Sequence, residues 1–134
     1  QGKLSALEAK AVKAEDFVRF SRSELYIRMR TADEAGRLYR EQPFVMGIPA
    51  NTVDSTYPQS ETILIQGIMD AFFEESDGLV IVDYKTDRVE TAKQLRDKYE
   101  LQLDYYGKAL TQITGKNVKE RILYSVHLQE TISC

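Results

Sequence analysis

The stretch IQGIMDAFFEESDGLVIVDYKTDRV, residues 65–89, sets two apolar runs on either side of a turn, and each run carries an acid. Asp70 follows Ile68 and Met69, and Asp83 follows Leu79, Val80, Ile81 and Val82, with Lys85 two residues further on. Both runs have the length and the β-branched and aromatic content of strands, and the Asp77-Gly78 pair between them is a strong hairpin signal. A hairpin of residues 62–74 and 79–86 closed at that pair makes Asp70 and Asp83 near neighbours across the ladder. Opposed carboxylates repel unless a cation lies between them. Side chains alternate along a strand, so Lys85 shares the face of Asp83 and the three charges converge.

Outward from the hairpin, residues 4–30 predict helix from the recurrence of Phe17, Phe20, Leu25 and Ile27 among charged residues, with a break near Ser21 to Ser23 that splits it in two. Leu38 to Ile48 predicts a strand in which Pro43 marks an edge position or a bulge. Residues 51–60, with Pro58, predict a loop. Residues 91–114 predict a long helix whose apolar stripe runs through Leu95, Tyr99, Leu103, Tyr106, Leu110 and Ile113, with Gly115 as its stop. In residues 119–131, Ile122, Tyr124, Val126 and Leu128 alternate, predicting one final strand with a single buried face. The order helix, three strands, helix, strand predicts an α/β (α+β) fold with a central mixed sheet of about four strands flanked by helices. The first three strands would form a meander, and the long helix would cross over to the fourth. A length of 134 residues fits one domain, with residues 1–36 as a helical part and 37–131 as the core.

Composition narrows the possible functions. With 43% hydrophobic and 29% charged residues, and no apolar run near the ~18 residues that span a bilayer, the chain reads as soluble, without membrane association. Residues 1–17 have no apolar segment of signal-peptide type, which predicts a cytoplasmic protein. Cys134 is the single cysteine, excluding an internal disulfide and any cysteine-built zinc or iron-sulfur site within the chain. A net charge of -3 gives no global attraction for nucleic acid, so a polyanion must meet a local patch, for which Arg37, Arg40, Arg88, Lys93, Arg96 and Lys98 are candidates. Gly115-Lys116 is followed by Asn117, so no G-x-x-x-x-G-K-[ST] loop and no ATP site is present.

Two carboxylates supplemented by backbone carbonyls and water make a hard oxygen site suited to Mg²⁺ or Mn²⁺. An ammonium beside them does not bind the metal, but it offsets charge that develops on a phosphate and helps acidify a water. Acid, acid and lysine thus form a phosphodiester-cleaving set. The D-x-K tripeptide alone is explained without any function by a strand-end salt bridge between Asp83 and Lys85. Gln102 and Tyr106, four apart on the long helix, share a face and could point at the same spot; a core Tyr106 beside a surface Gln102 is the alternative.

Together, G-I-M-D at 67–70, V-D-Y-K-T at 82–86 and Q-L-D-Y-Y at 102–106 resemble the G-x-x-D, D-Y-K-[ST] and Q-x-x-x-Y motifs of the RecB-type branch of the PD-(D/E)xK nuclease superfamily. With R-E-Q-P-F-V-M-G-I-P at 40–49 ahead of them, the chain looks most like the C-terminal nuclease domain of AddA-type (RexA-type) helicase-nuclease subunits. The resemblance implies a restriction-endonuclease-like core in which Asp70, Asp83 and the main-chain carbonyl of Tyr84 ligate Mg²⁺, Lys85 is the catalytic lysine, and Gln102 and Tyr106 steer the DNA or the attacking water. Glu41 is a further candidate, with a salt bridge to Arg37 or Arg40 as its alternative. The implied function is exonuclease cleavage of a single DNA strand delivered by a helicase in double-strand break repair and recombination. The implied partners are the helicase domains of a parent chain and an AddB-type subunit. A nuclease-like module that no longer cuts, and guides DNA or docks a partner, is the alternative. The metal-ligating histidine that this branch carries upstream of the first strand has no counterpart here, which implies a piece of a larger protein that begins after that ligand. His127, the sole histidine, reads as structural or exposed within the last strand.

Overall fold

The computed structural model describes residues 14–134. Two short helices come first, α1 (Ala14–Ser21) and α2 (Glu24–Glu34). They divide at Ser21 to Ser23 as the sequence predicts; the portion of the predicted helix before Ala14 lies outside the described residues. Ser23 ends one helix and starts the next, its hydroxyl accepting the Tyr26 N–H at 3.1 Å as an N-cap. In α2 the buried stripe is Leu25, Met29 and Ala32, while Ile27, expected in the core, is 59% exposed because it lies on the opposite face.

Strands β1 (Leu38–Pro49), β2 (Thr62–Glu75) and β3 (Gly78–Lys85) form the expected antiparallel meander. A four-residue helix, α3 (Ala50–Val53), opens the predicted loop. The long helix α4 (Ala92–Thr114) carries the chain to β4 (Val118–Ser125), parallel to β3. Thr91 and Gln94 close a capping box at its start, and Gly115 at φ 70° supplies the left-handed turn at its end. The stripe of α4 buries Leu95, Leu103, Tyr106 and Leu110, but Ile113 is 54% exposed in the last turn.

The final segment differs from expectation. It is two strands, β4 and β5 (Glu130–Ser133), joined by a turn in which Gln129 takes φ 56° and the Leu128 N–H bonds the Ser125 hydroxyl at 3.0 Å. The sheet therefore has five strands in the order β1-β2-β3-β4-β5, with β1 at an edge where Pro43 is tolerated. Consecutive residues Ile122, Leu123, Tyr124 and Ser125 are all buried, since β4 is an interior strand covered on both faces rather than on one. His127 falls in the turn and is exposed. Among the described residues no helix is long and apolar enough to cross a membrane.

Helices α1 and α2 cover one sheet face, where Phe20 packs edge-on against Tyr84 and Tyr124. Helix α4 covers the other, over Met69, Phe72, Ile81 and Leu123. The long β1/β2 hairpin changes faces midway. Leu38 faces α1 and α2, whereas Phe44, Met46 and Ile48, of the same alternation parity, face α4. Glu41 sits at the reversal with φ 51°, and on β2 the same switch falls between Met69 and Ala71, at Asp70. The side of the hairpin that faces each helix layer thus changes where the first candidate acid is placed.

Candidate active site

The β2/β3 ladder runs inward from the Asp77-Gly78 turn through Phe72 opposite Ile81 and Ala71 opposite Val82, and there its pairing ends. Asp70 and Asp83 stand one step beyond. The next rung is made by a side chain: Asp70 Oδ2 accepts the Tyr84 N–H at 2.9 Å. This bond fixes the Asp70 carboxylate beside the backbone of β3, next to Asp83. Tyr84 itself turns the other way, its buried ring against Phe20 and its hydroxyl 3.6 Å from Met29 Sδ. Burial first, and then the charge of Asp70, push that phenol above its usual value.

Asp83 and Lys85 share the α4 face. Lys85 Nζ lies 2.7 Å from Asp83 Oδ2, with side chains 12% and 5% exposed respectively. The ammonium directs a hydrogen bond to Gln102 Oε1 at 2.9 Å and sits 3.8 Å from the centroid of the Tyr99 ring. Its contact with Asp83 is close but unaligned, so Asp83 Oδ2 is a buried oxygen without a hydrogen-bond donor. Such an oxygen is costly to bury unless something accepts its lone pair. A hard divalent cation does, and so the donor set here, two carboxylates of which one buried oxygen is paired by charge but lacks an aligned donor, fits Mg²⁺ or Mn²⁺.

Gln102 and Tyr106 are both brought to the site from α4. Tyr106 is nearly buried, edge-on to Phe44 at 5.1 Å and beside Gly67, where a Cβ would meet the Phe44 ring at 3.2 Å. Burial, followed by the charges of Asp83 and Asp70, pushes its phenol up to about 12, which sets both carboxylates within electrostatic reach of the hydroxyl. Tyr106 is part of the core, with its hydroxyl within electrostatic reach of the acids, while Gln102 is half-buried on the lysine.

Two residues that the sequence pattern does not single out belong to the cluster. Periodicity places Tyr99 only in the core stripe, although its position three before Gln102 puts it on the same helix face. Its hydroxyl is held by Asp87 at 2.8 and 3.1 Å to the two carboxylate oxygens, and Lys98 pairs with Asp87 at 2.6 Å. Burial raises the Asp87 carboxyl, but the Lys98 and Tyr99 hydrogen bonds outweigh it and leave it below the usual range.

Other expectations do not join the site. Among the described residues no three His, Cys, Asp or Glu side chains gather as a metal cluster, so Glu41, exposed on β1, does not extend the acid pair. Arg40 pairs with Asp33 of α2 at 2.9 Å. Within the expected basic patch Arg40, Lys93 and Lys98 are paired with Asp33, Asp97 and Asp87, whereas Arg96 keeps its charge and bonds the Ser133 carbonyl.

Comparison with known proteins gives this geometry a lineage. The profile of the PD-(D/E)XK nuclease superfamily matches residues 4–131. The chain is 41% identical over 125 residues to the A-subunit of the ATP-dependent helicase/nuclease of Clostridium kluyveri, covering 90% of this chain and 10% of that protein. It is 40% identical over 121 residues to the protein of the same name from Clostridium botulinum strain Loch Maree, covering 87% of this chain and 9% of the relative. The corresponding protein of Lachnoclostridium phytofermentans is 37% identical over 157 residues, covering 91% of this chain and 11% of its own length. This chain therefore spans about a tenth of the curated relatives it matches. With a superfamily profile covering nearly its whole length, a five-stranded mixed sheet flanked by helices and relatives at this identity, the chain belongs to the PD-(D/E)XK nuclease superfamily.

Proposed function

We propose that this chain is a Mg²⁺-dependent deoxyribonuclease domain, accepting Mn²⁺ in place of Mg²⁺, which hydrolyses phosphodiester bonds of a DNA strand. The observation that carries this reading is the buried Asp83 Oδ2, ion-paired to the ammonium of Lys85 but without an aligned hydrogen-bond donor, across the ladder from Asp70. Asp70, Asp83 and the Tyr84 main-chain carbonyl would hold the cation. Bound there, it supplies Lewis acidity toward a phosphoryl oxygen and lowers the pKa of a bound water. Lys85, steadied by Gln102, presents positive charge where negative charge grows on the phosphate during attack. The Tyr106 phenol keeps its proton at neutral pH and can donate to a phosphate oxygen or to the attacking water.

The relatives are named as components of ATP-dependent helicase/nucleases, which supports the wider setting. In that setting the domain acts as an exonuclease on a single strand delivered by helicase domains of a parent chain. It works in the cytoplasm with an AddB-type partner, in double-strand break repair and recombination. Site acids committed to a cation and a surface whose lysines are mostly paired suit a domain that receives its substrate rather than capturing it by charge.

The test is cleavage of an end-labelled single-stranded oligonucleotide with Mg²⁺ or Mn²⁺, with a chelator control. Asp83→Ala is expected to remove cleavage by about a thousandfold or more while retaining the fold. Cleavage by Asp83→Ala at the parent rate contradicts the assignment.

A further inference from the structure

We infer that Tyr99 is a positioning residue for Lys85: its ring, clamped at the hydroxyl by Asp87, holds the lysine ammonium in place independently of Asp83. This rests on Lys85 serving the nuclease reaction, and it assigns a task to an aromatic side chain that packing alone does not require.

A lysine ammonium has three donors on a flexible four-carbon stem, and it must surrender considerable rotamer freedom to stay fixed. Here it meets three groups: Asp83 Oδ2 at 2.7 Å, Gln102 Oε1 at 2.9 Å and the Tyr99 ring centroid at 3.8 Å. The Asp83 contact is the least dependable of the three for a nuclease. A divalent cation on that carboxylate takes the oxygen and repels the ammonium, so an anchor made of carboxylate alone would release the lysine when the site is loaded. The amide of Gln102 and the face of Tyr99 are neutral, and a cation nearby does not withdraw them.

The ring is itself locked. Its hydroxyl donates to Asp87 at 2.8 and 3.1 Å, and Lys98 closes on the same carboxylate at 2.6 Å. A phenol that donates to a carboxylate gains electron density, which strengthens the negative face that attracts the ammonium. Asp87 lies two residues beyond Lys85 on the chain leaving β3, and Tyr99 lies one turn before Gln102 on α4, so the clamp ties the strand end to the helix across the site. Deleting Tyr99 therefore frees the lysine without removing any group that touches substrate.

Two readouts test this. Without metal or DNA, the ¹³C-labelled protein is expected to show the Lys85 Cε methylene, assigned by its disappearance in Lys85→Arg, upfield of every other lysine because the ring lies beneath it. Tyr99→Leu moves it among the surface lysines, while Tyr99→Phe and Asp87→Ala, which each keep the ring but lose its clamp, shift the resonance only part of the way, and these two carry the test should Tyr99→Leu fail to fold. In single-turnover cleavage with Mg²⁺, Tyr99→Leu is expected to slow the chemical step roughly tenfold at unchanged substrate affinity, with Tyr99→Phe recovering most of the rate. An ordinary Lys85 methylene position in the parent overturns the inference, as does a Tyr99→Leu variant that cleaves at the parent rate. A parent that does not cleave refutes the nuclease reading instead, while the methylene resonance still decides whether the ring holds the lysine.

Discussion

Replacing Lys85 with methionine isolates the electrostatic cost of the acid pair. The side chain keeps its length and apolar stem, but the charge that faces Asp83 at 2.7 Å is gone. With Asp83 only 5% exposed at its side chain and Lys85 12%, solvent screens little of that interaction. Removing one partner of so enclosed a pair leaves a carboxylate without compensation, with a second carboxylate across the ladder from it, and costs about 3 kcal/mol. For an m-value of about 2 kcal/mol/M in urea this lowers the unfolding midpoint by about 1.5 M at neutral pH. Mg²⁺ should then restore what the ammonium supplied: at about a hundred times its dissociation constant, binding adds about 2.7 kcal/mol. Because the ammonium no longer competes for Asp83 Oδ2, the variant is expected to bind Mg²⁺ more tightly than the parent and yet fail to cleave. Urea titrations with and without Mg²⁺, beside isothermal titration of the metal, measure all three quantities. A midpoint within about 0.3 M of the parent and indifferent to Mg²⁺ refutes the reasoning.

Away from the site, Glu75 accepts two hydrogen bonds from Arg28 at 3.0 and 2.7 Å, and that guanidinium, ahead of opposing burial and the help of Lys119, holds the Glu75 carboxyl at about 2. Its folded value lies below the ordinary 4.5, so its stabilisation is present above that pH and is lost as pH falls toward about 2. Glu75→Gln should flatten the acid side of the stability profile in that window, read by urea midpoints across it. Gly67→Ala places a Cβ 3.2 Å from the Phe44 ring, which packs on Tyr106, so a stability loss of about 1–2 kcal/mol with a drop in cleavage is expected from thermal melts and rate measurements.

The hairpin was legible because a strong turn signal and two apolar runs leave one register. Ala71 opposite Val82 is the alignment that brings Asp70 beside Asp83. The ends of α4 were legible from Thr91 and Gly115, whose chemistry is local. What escaped depends on the third dimension or on short elements. Strand β5 has four residues and is reached through a turn whose left-handed position is held by Gln129, without the glycine or asparagine that marks such a turn. Ile113 fits helical periodicity, yet the sheet does not reach it, and periodicity cannot report where a partner surface ends; Ile27 lies on the helix face turned away from the sheet. The hub in which Arg28 joins Glu75 and Glu120 links residues from α2, β2 and β4, and nothing in their sequence spacing announces it. Tyr99 and Asp87 were hidden for a related reason, since a tyrosine in an apolar stripe reads as core until the lysine above its face is seen.

That two acids at the open end of the β2/β3 ladder hold a divalent cation is tested most directly by titrating Mn²⁺ into the ¹⁵N-labelled protein and following paramagnetic broadening of its amide resonances. The expected pattern is selective loss of signal around Asp70 and from Asp83 to Lys85, including the Tyr84 N–H bonded to Asp70, abolished by Asp83→Ala and competed by Mg²⁺. Broadening centred elsewhere, or unchanged in Asp83→Ala, contradicts it.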